Sequence, residues 1–181
     1  MLDPDRTSPY QFRQFWMQSD DQMVGTYLRM LSLRPLDELE GLFAQHAVEP
    51  EQRAAQRALA DEMTALVHGR DAADHAARAA EVLFGGDPTT ASAEVLAVVA
   101  SEVPRVDLPV EVEGVRVHEL LVSAGIAKST SEVNRLLGQK AVRAGNRILD
   151  EDGLLHASDL LNGGFLLLRK GKRDFLVGKV S

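Results

Sequence analysis

The chain has 181 residues, 45% of them hydrophobic, no cysteine, and a formal net charge of −7. A chain of this length buries about 70% of the surface it exposes when unfolded, enough for one domain or two small ones. The lack of cysteine excludes a disulfide framework and a thiolate metal site. With no long apolar run and no basic-then-apolar leader, the expectation is a soluble protein of the cytoplasm without a membrane span. Charge is unevenly placed: residues 1–114 hold 9 Lys+Arg against 20 Asp+Glu, and residues 115–181 hold 11 against 7. A polyanion would therefore be met at the basic end of an acidic body.

Ser8 before Pro9 predicts a helix start, with proline where its missing N–H costs nothing. Phe12, Phe15 and Trp16 are expected on one buried face. Ser19 and Gln22 have capping-box spacing ahead of a second helix through Met23, Val24, Tyr27, Leu28 and Leu31. Asp20 and Asp21 are adjacent, so they point about 100° apart on a helix and suit its N-terminal dipole better than a shared metal. A third helix follows Pro35, with Leu36, Leu39, Leu42 and Phe43 inward. Two alanine-rich helices, about 51–68 and 71–84, come next, then a short helix near 92–99. His68 at a helix end is a dipole partner, and the remaining histidines show no metal-ligand spacing. The acidic, proline-bearing stretch 102–114 reads as a stiff linker between domains 1–101 and 115–181.

Beyond it, Val117, Leu120, Leu121 and Ala124 make one helical stripe and Val133, Leu136 and Leu137 another. Ser129 and Glu132 form a capping box at the start of the second helix. Lys128, Ser131, Asn134, Arg135 and Gln139 are left to solvent beside a helix N-terminus suited to a phosphate. A Gly145-Asn146 hairpin follows, whose register leaves open whether Arg143 and Arg147 share a face. Two last strands are joined by a turn carrying Lys170, Lys172 and Arg173. No acid, base or nucleophile is assembled among these cations.

The run LLVSAGIAKSTSEVNRLLGQKAVRAGNRI resembles the S4-type RNA-binding domain, and FLLLRKGKRDFLVGKV resembles its form in bacterial tyrosyl-tRNA synthetases. The opening LDPDRTSPYQFRQFWMQSDDQMVGTYLRMLS is similar to the helical segment that follows the catalytic domain of those enzymes. The resemblance implies a mainly α helical bundle followed by a small α+β S4-like domain. It implies that the two together grip tyrosine tRNA at its anticodon stem-loop and long variable arm. The parent enzyme would attach tyrosine using ATP and Mg2+ and would dimerise through its catalytic domain. Neither the HIGH-like nor the KMSKS-like signature occurs in the chain, so the expectation is a monomeric fragment that binds tRNA, carries no catalytic residue, cofactor or metal, and is inactive alone.

The expected RNA-binding residues are Lys128, Ser129, Ser131, Arg135, Lys140, Arg143, Arg147, Lys170, Lys172 and Arg173. Arg13, Arg29 and Arg34 are candidates for the anticodon arm. A stand-alone S4 protein or an S4-bearing modifying enzyme acting on ribosomal RNA is the alternative; it would leave the N-terminal likeness unexplained.

Overall fold

Helix α1, Pro9–Met17, begins as expected, with the Ser8 hydroxyl accepting the Gln11 N–H at 3.1 Å. The computed structural model describes residue 3 and residues 6–180. These divide between Ala77 and Arg78 into two compact units. In the first, α1, α2 (Asp21–Leu31) and α3 (Leu36–Val48) pack on α4 (Ala54–His68). Its core joins Phe12, Val24, Leu28, Leu39, Ala55, Leu59 and Met63, with Trp16 and Tyr27 against it. The aromatic rings meet edge to face, Phe12 on Trp16 at 6.3 Å and on His68 at 5.1 Å.

Three local expectations change. Asp20, not Ser19, caps α2, because its carboxylate reaches the Gln22 N–H at 2.8 Å. Phe15 and Leu36 are exposed rather than inward, at 52% and 64%, each lying at the rim of its helix stripe. Gln56 is fully buried, its amide donating to the Asp21 carboxylate, so a polar side chain pins the start of α2 from inside.

Helix α5, Arg70–Leu83, contains the division between the units. It ends in a Schellman motif: the Gly86 N–H donates to Glu81 O at 2.8 Å and the Gly85 N–H to Val82 O at 3.2 Å. Gly85 has φ +102°, a conformation that disfavours a side chain. Helix α6, Ala93–Glu102, opens on Ser92, whose hydroxyl accepts the Val95 N–H at 3.3 Å.

Residues 102–114 are not a linker. Arg105–Leu108 forms β1, paired parallel to β5 (Asp174–Val180), with Arg105 opposite Val177 and Leu108 opposite Val180. Pro104 and Pro109 flank this strand, where they remove no ladder hydrogen bond. They obscure its Arg-Val-Asp-Leu alternation. The remaining strands are β2 (Val142–Ala144), β3 (Arg147–Ile148) and β4 (Phe165–Lys170), and the sheet order is β1-β5-β4-β2-β3.

Helices α7 (Val117–Ser123) and α8 (Thr130–Gly138) cover one sheet face. Val117, Leu121, Val133 and Leu137 join Val142, Ala144, Leu166, Leu168 and Leu176 there. On the other face Phe165, Leu167, Phe175 and Val177 are also buried. Helix α6 lies beside β5 on the sheet, with Val95, Leu96 and Val99 buried, and Asn162 Nδ2 donates to Ala91 O at 2.8 Å. The expected boundary thus falls inside the second unit, because α6 belongs to the sheet. Among the described residues no helix is long and apolar enough to cross a membrane.

Leu96→Ala empties a site that is 1% exposed. It is expected to cost about 2–5 kcal/mol. Native-state hydrogen exchange should show the loss on β4 and β5 amides and leave the α1–α4 core unaffected.

Candidate nucleic-acid interface

Helix α8 starts where Ser129 is extended and its hydroxyl accepts the Glu132 N–H at 3.3 Å. The reciprocal bond differs from a standard capping box: Glu132 Oε2 accepts the N–H of Lys128, at 2.8 Å. The other Glu132 oxygen lies 3.6 Å from Lys170 Nζ, which also donates to Ile126 O at 2.5 Å and lies 3.5 Å from Asp174. The Lys128 N–H, then the Lys170 ammonium, hold the Glu132 carboxyl below its ordinary range. Lys170 therefore fastens the end of β4 to the first turn of α8.

That fastening places the exposed turn Gly171–Arg173 beside the start of α8, and the Gly171 N–H donates to Ala141 O at 2.9 Å. Lys128, Lys172 and Arg173 are exposed, and none has a carboxylate within ion-pair distance among the described residues. Ser131 is exposed on α8, and exposed Arg135 bonds Gln139 Oε1 at 3.1 Å. Asn134 is not free for a ligand, because it pairs with His118 Nε2 at 2.8 Å across α7 and α8.

Other expected residues are committed elsewhere or lie apart. The Ser129 hydroxyl oxygen accepts the cap bond, and Lys170 makes the tie just described. Lys140, at φ +54°, borders a concavity that it shares with Asp150, Glu151 and Asp152. Arg143 pairs with Ile148 and Ala144 with Arg147, so the two arginines point to opposite faces of the sheet. Arg147 grips buried Asp159 with two nitrogens, 2.7 and 2.5 Å, and donates to Leu154 O at 3.0 Å. In the first unit, Arg13 is 6% exposed and bonds Asp61 at 2.7 Å. Arg34 bonds Glu62 at 3.2 Å. Arg29 stays exposed, its guanidinium 4.4 Å above the Phe43 ring. Arg169 was not singled out by sequence; the strand register, placing it opposite Arg143, is the signal that finds it.

Burial pushes the Asp159 carboxyl up, but the Arg147 guanidinium and the His156 N–H outweigh it and hold it below the ordinary range. A depressed folded pKa contributes stability above the unfolded value, about 3.9, and loses it as pH falls through the folded one. Arg147→Met leaves that carboxylate buried and unpaired, and is expected to cost about 3 kcal/mol at neutral pH. In urea unfolding the gap between Arg147→Met and the parent should narrow below about pH 4, where protonation removes the orphaned charge.

The family model described as the tyrosine–tRNA ligase SYY-like C-terminal domain matches residues 95–177. The model of class I tRNA synthetases (W and Y) matches residues 1–85. A tyrosine–tRNA ligase of Anaeromyxobacter dehalogenans is 41% identical over 99% of this chain and 43% of its own length. One of Kineococcus radiotolerans is 41% identical over 96% of this chain and 41% of its own. The crystal structure of a C-terminally truncated Aspergillus nidulans mitochondrial tyrosyl-tRNA synthetase is 36% identical, covers 46% of this chain and 24% of its own, and has a TM-score of 0.45. The chain spans about two-fifths of the length of the curated relatives it matches. Two family models in chain order and 41% identity across 99% of the residues show that the chain belongs to the tyrosyl-tRNA synthetase family.

Proposed function

We propose that this chain is the tRNA-binding region of a tyrosine–tRNA ligase. The observation that carries the reading is the Glu132–Lys170 tie, which sets the N-terminal turn of α8 and the β4–β5 turn side by side. Lys128, Lys172 and Arg173, with Ser131 and Arg135 along α8, then form a cationic edge without local carboxylate partners. Such an edge holds a sugar–phosphate backbone by displacing its counterions, while arginine adds bidentate contacts. Two helices packed on one face of a small sheet, with a two-residue hairpin, support an S4-like identity for this part.

In this reading the S4-like part meets the anticodon stem-loop and the long variable arm of tyrosine tRNA, and Arg29 is the remaining helical-unit contact. The edge offers positive charge and hydrogen bonds to a polyanion, and in this reading the chain binds tRNA without aminoacylating it. Among the described residues no three His, Asp or Glu side chains are grouped to hold a metal. In this reading ATP and Mg2+ would serve tyrosine activation elsewhere in the enzyme, where a homodimer contact would also lie. The chain itself would be monomeric and cytoplasmic. Matches across 99% of the chain favour this reading over a stand-alone S4 protein acting on ribosomal RNA.

Binding of tyrosine tRNA, with and without its variable arm, should be measured at about 50 and 200 mM salt. The triple variant Lys128→Glu, Lys172→Glu and Arg173→Glu is expected to lose at least about a hundredfold in affinity and to lower the salt slope by about three. Unchanged affinity in a folded triple variant would refute the assignment, and a tyrosine-dependent ATP–pyrophosphate exchange signal from the chain would refute its inactivity.

A further inference from the structure

The sheet face turned away from α7 and α8 carries an arginine pair with no counterion among the described residues. Arg143 on β2 stands directly opposite Arg169 on β4, so both side chains leave the same face. Ile148 and Phe175 complete the row on either side. Both arginines are half-buried, and neither has a carboxylate within ion-pair distance among the described residues. The Nε of Arg169 is buried and has no hydrogen-bond partner among the described residues. Like charges facing each other across a ladder repel, and a buried guanidinium N–H without an acceptor is costly. An arrangement of this kind is relieved by an anion.

The neighbouring loop supplies no side chain to the pair. A Cβ built on Gly85 would lie 3.8 Å from Arg169 Nη1, so the chain reaches the guanidinium there with bare backbone. The carbonyls of Ala80, Glu81 and Val82 at the end of α5 accept the N–H groups of Phe84, Gly86 and Gly85, and none of them bonds Arg169. Asp87, on the same loop, turns its Oδ1 to Thr89 and Asn146 and makes no ion pair with Arg143 or Arg169 among the described residues. It accepts the Thr89 hydroxyl at 2.6 Å, the Thr89 N–H at 2.9 Å and Asn146 Nδ2 at 2.6 Å. Phe84, next to Gly85, is 79% exposed.

We propose that Arg143 and Arg169 form a phosphoryl-binding site on the sheet face opposite α8, distinct from the Lys128–Arg173 edge. Two guanidinium forks on adjacent strands match the several oxygens of one phosphate. The phosphate belongs either to an RNA backbone, in which case Phe84 offers a ring to the adjoining base, or to a free anion. The site rests on local geometry and stands whether or not the α8 edge binds tRNA.

The full chain, labelled with 15N, is titrated with inorganic phosphate at constant ionic strength while the arginine Nε–H signals are followed by NMR. The expected result is a saturable shift of the Arg169 Nε–H signal, weakened at least about tenfold in Arg143→Gln. Repeating the titration with tyrosine tRNA bound separates the sources: competition identifies the RNA backbone, and independent binding identifies a free anion. The Lys128→Glu, Lys172→Glu, Arg173→Glu variant should keep the phosphate response, which separates failure of the tRNA reading from failure of this one. An Arg169 signal that ignores both ligands, or that shifts equally in folded Arg143→Gln, overturns the site.

Discussion

Much of the second unit follows from one constraint, a β4–β5 hairpin that is apolar on both faces. Phe165 to Leu168 and Phe175 to Val177 are all buried, so each face of these strands needs its own cover. One cover is the α7–α8 pair and the other includes α6. Placing α6 there draws the chain between Arg78 and Leu108 into the unit and brings β1 alongside β5 in parallel. A sheet solvated on one side would have left residues 102–114 a tether; a doubly buried one makes them part of the structure.

The same constraint decides which cations reach solvent together. Side chains on β2 and β4 alternate between the α7–α8 face and the α6 face, so adjacent basic residues in sequence part company. Arg169 goes to one side and Lys170 to the other. Lys170 meets Glu132 and the Ile126 carbonyl and becomes a fastening, and the turn beyond it carries the exposed charge. Arg147, on the inner face, closes on Asp159 and holds the 3-10 turn at 157–159. Charges that looked equivalent thus divide into structural clamps and a free edge. Burial with a local carboxylate selects the first group, and position in a tight turn the second.

Much of the fold was legible in the sequence. Caps at Ser8 and Ser129, the stripes on α7 and α8, and the Gly145-Asn146 turn are local signals, and these survive folding. The likeness of two separated stretches to the tyrosyl-tRNA synthetase family was legible as well, and it is the family shown by comparison. The α2 cap moved by one residue, but the larger misreadings share a cause: each depended on a partner far along the chain. Arg13 looked like a surface cation until Asp61, 48 residues on, was placed beside it. The strand at Arg105–Leu108 lacked any local turn or long apolar run to announce it, since its partner β5 lies about 70 residues away.

Residue order by itself therefore determined the helices, their caps, the basic character of the last third and the family. All of these depend on spacing within a few residues or on the identity of whole motifs. Only the tertiary structure decided the strand register, the side of the sheet each arginine takes, and which charges are neutralised by distant carboxylates. Those outcomes turn on pairing between segments tens of residues apart, and a shift of one residue in a strand exchanges its two faces.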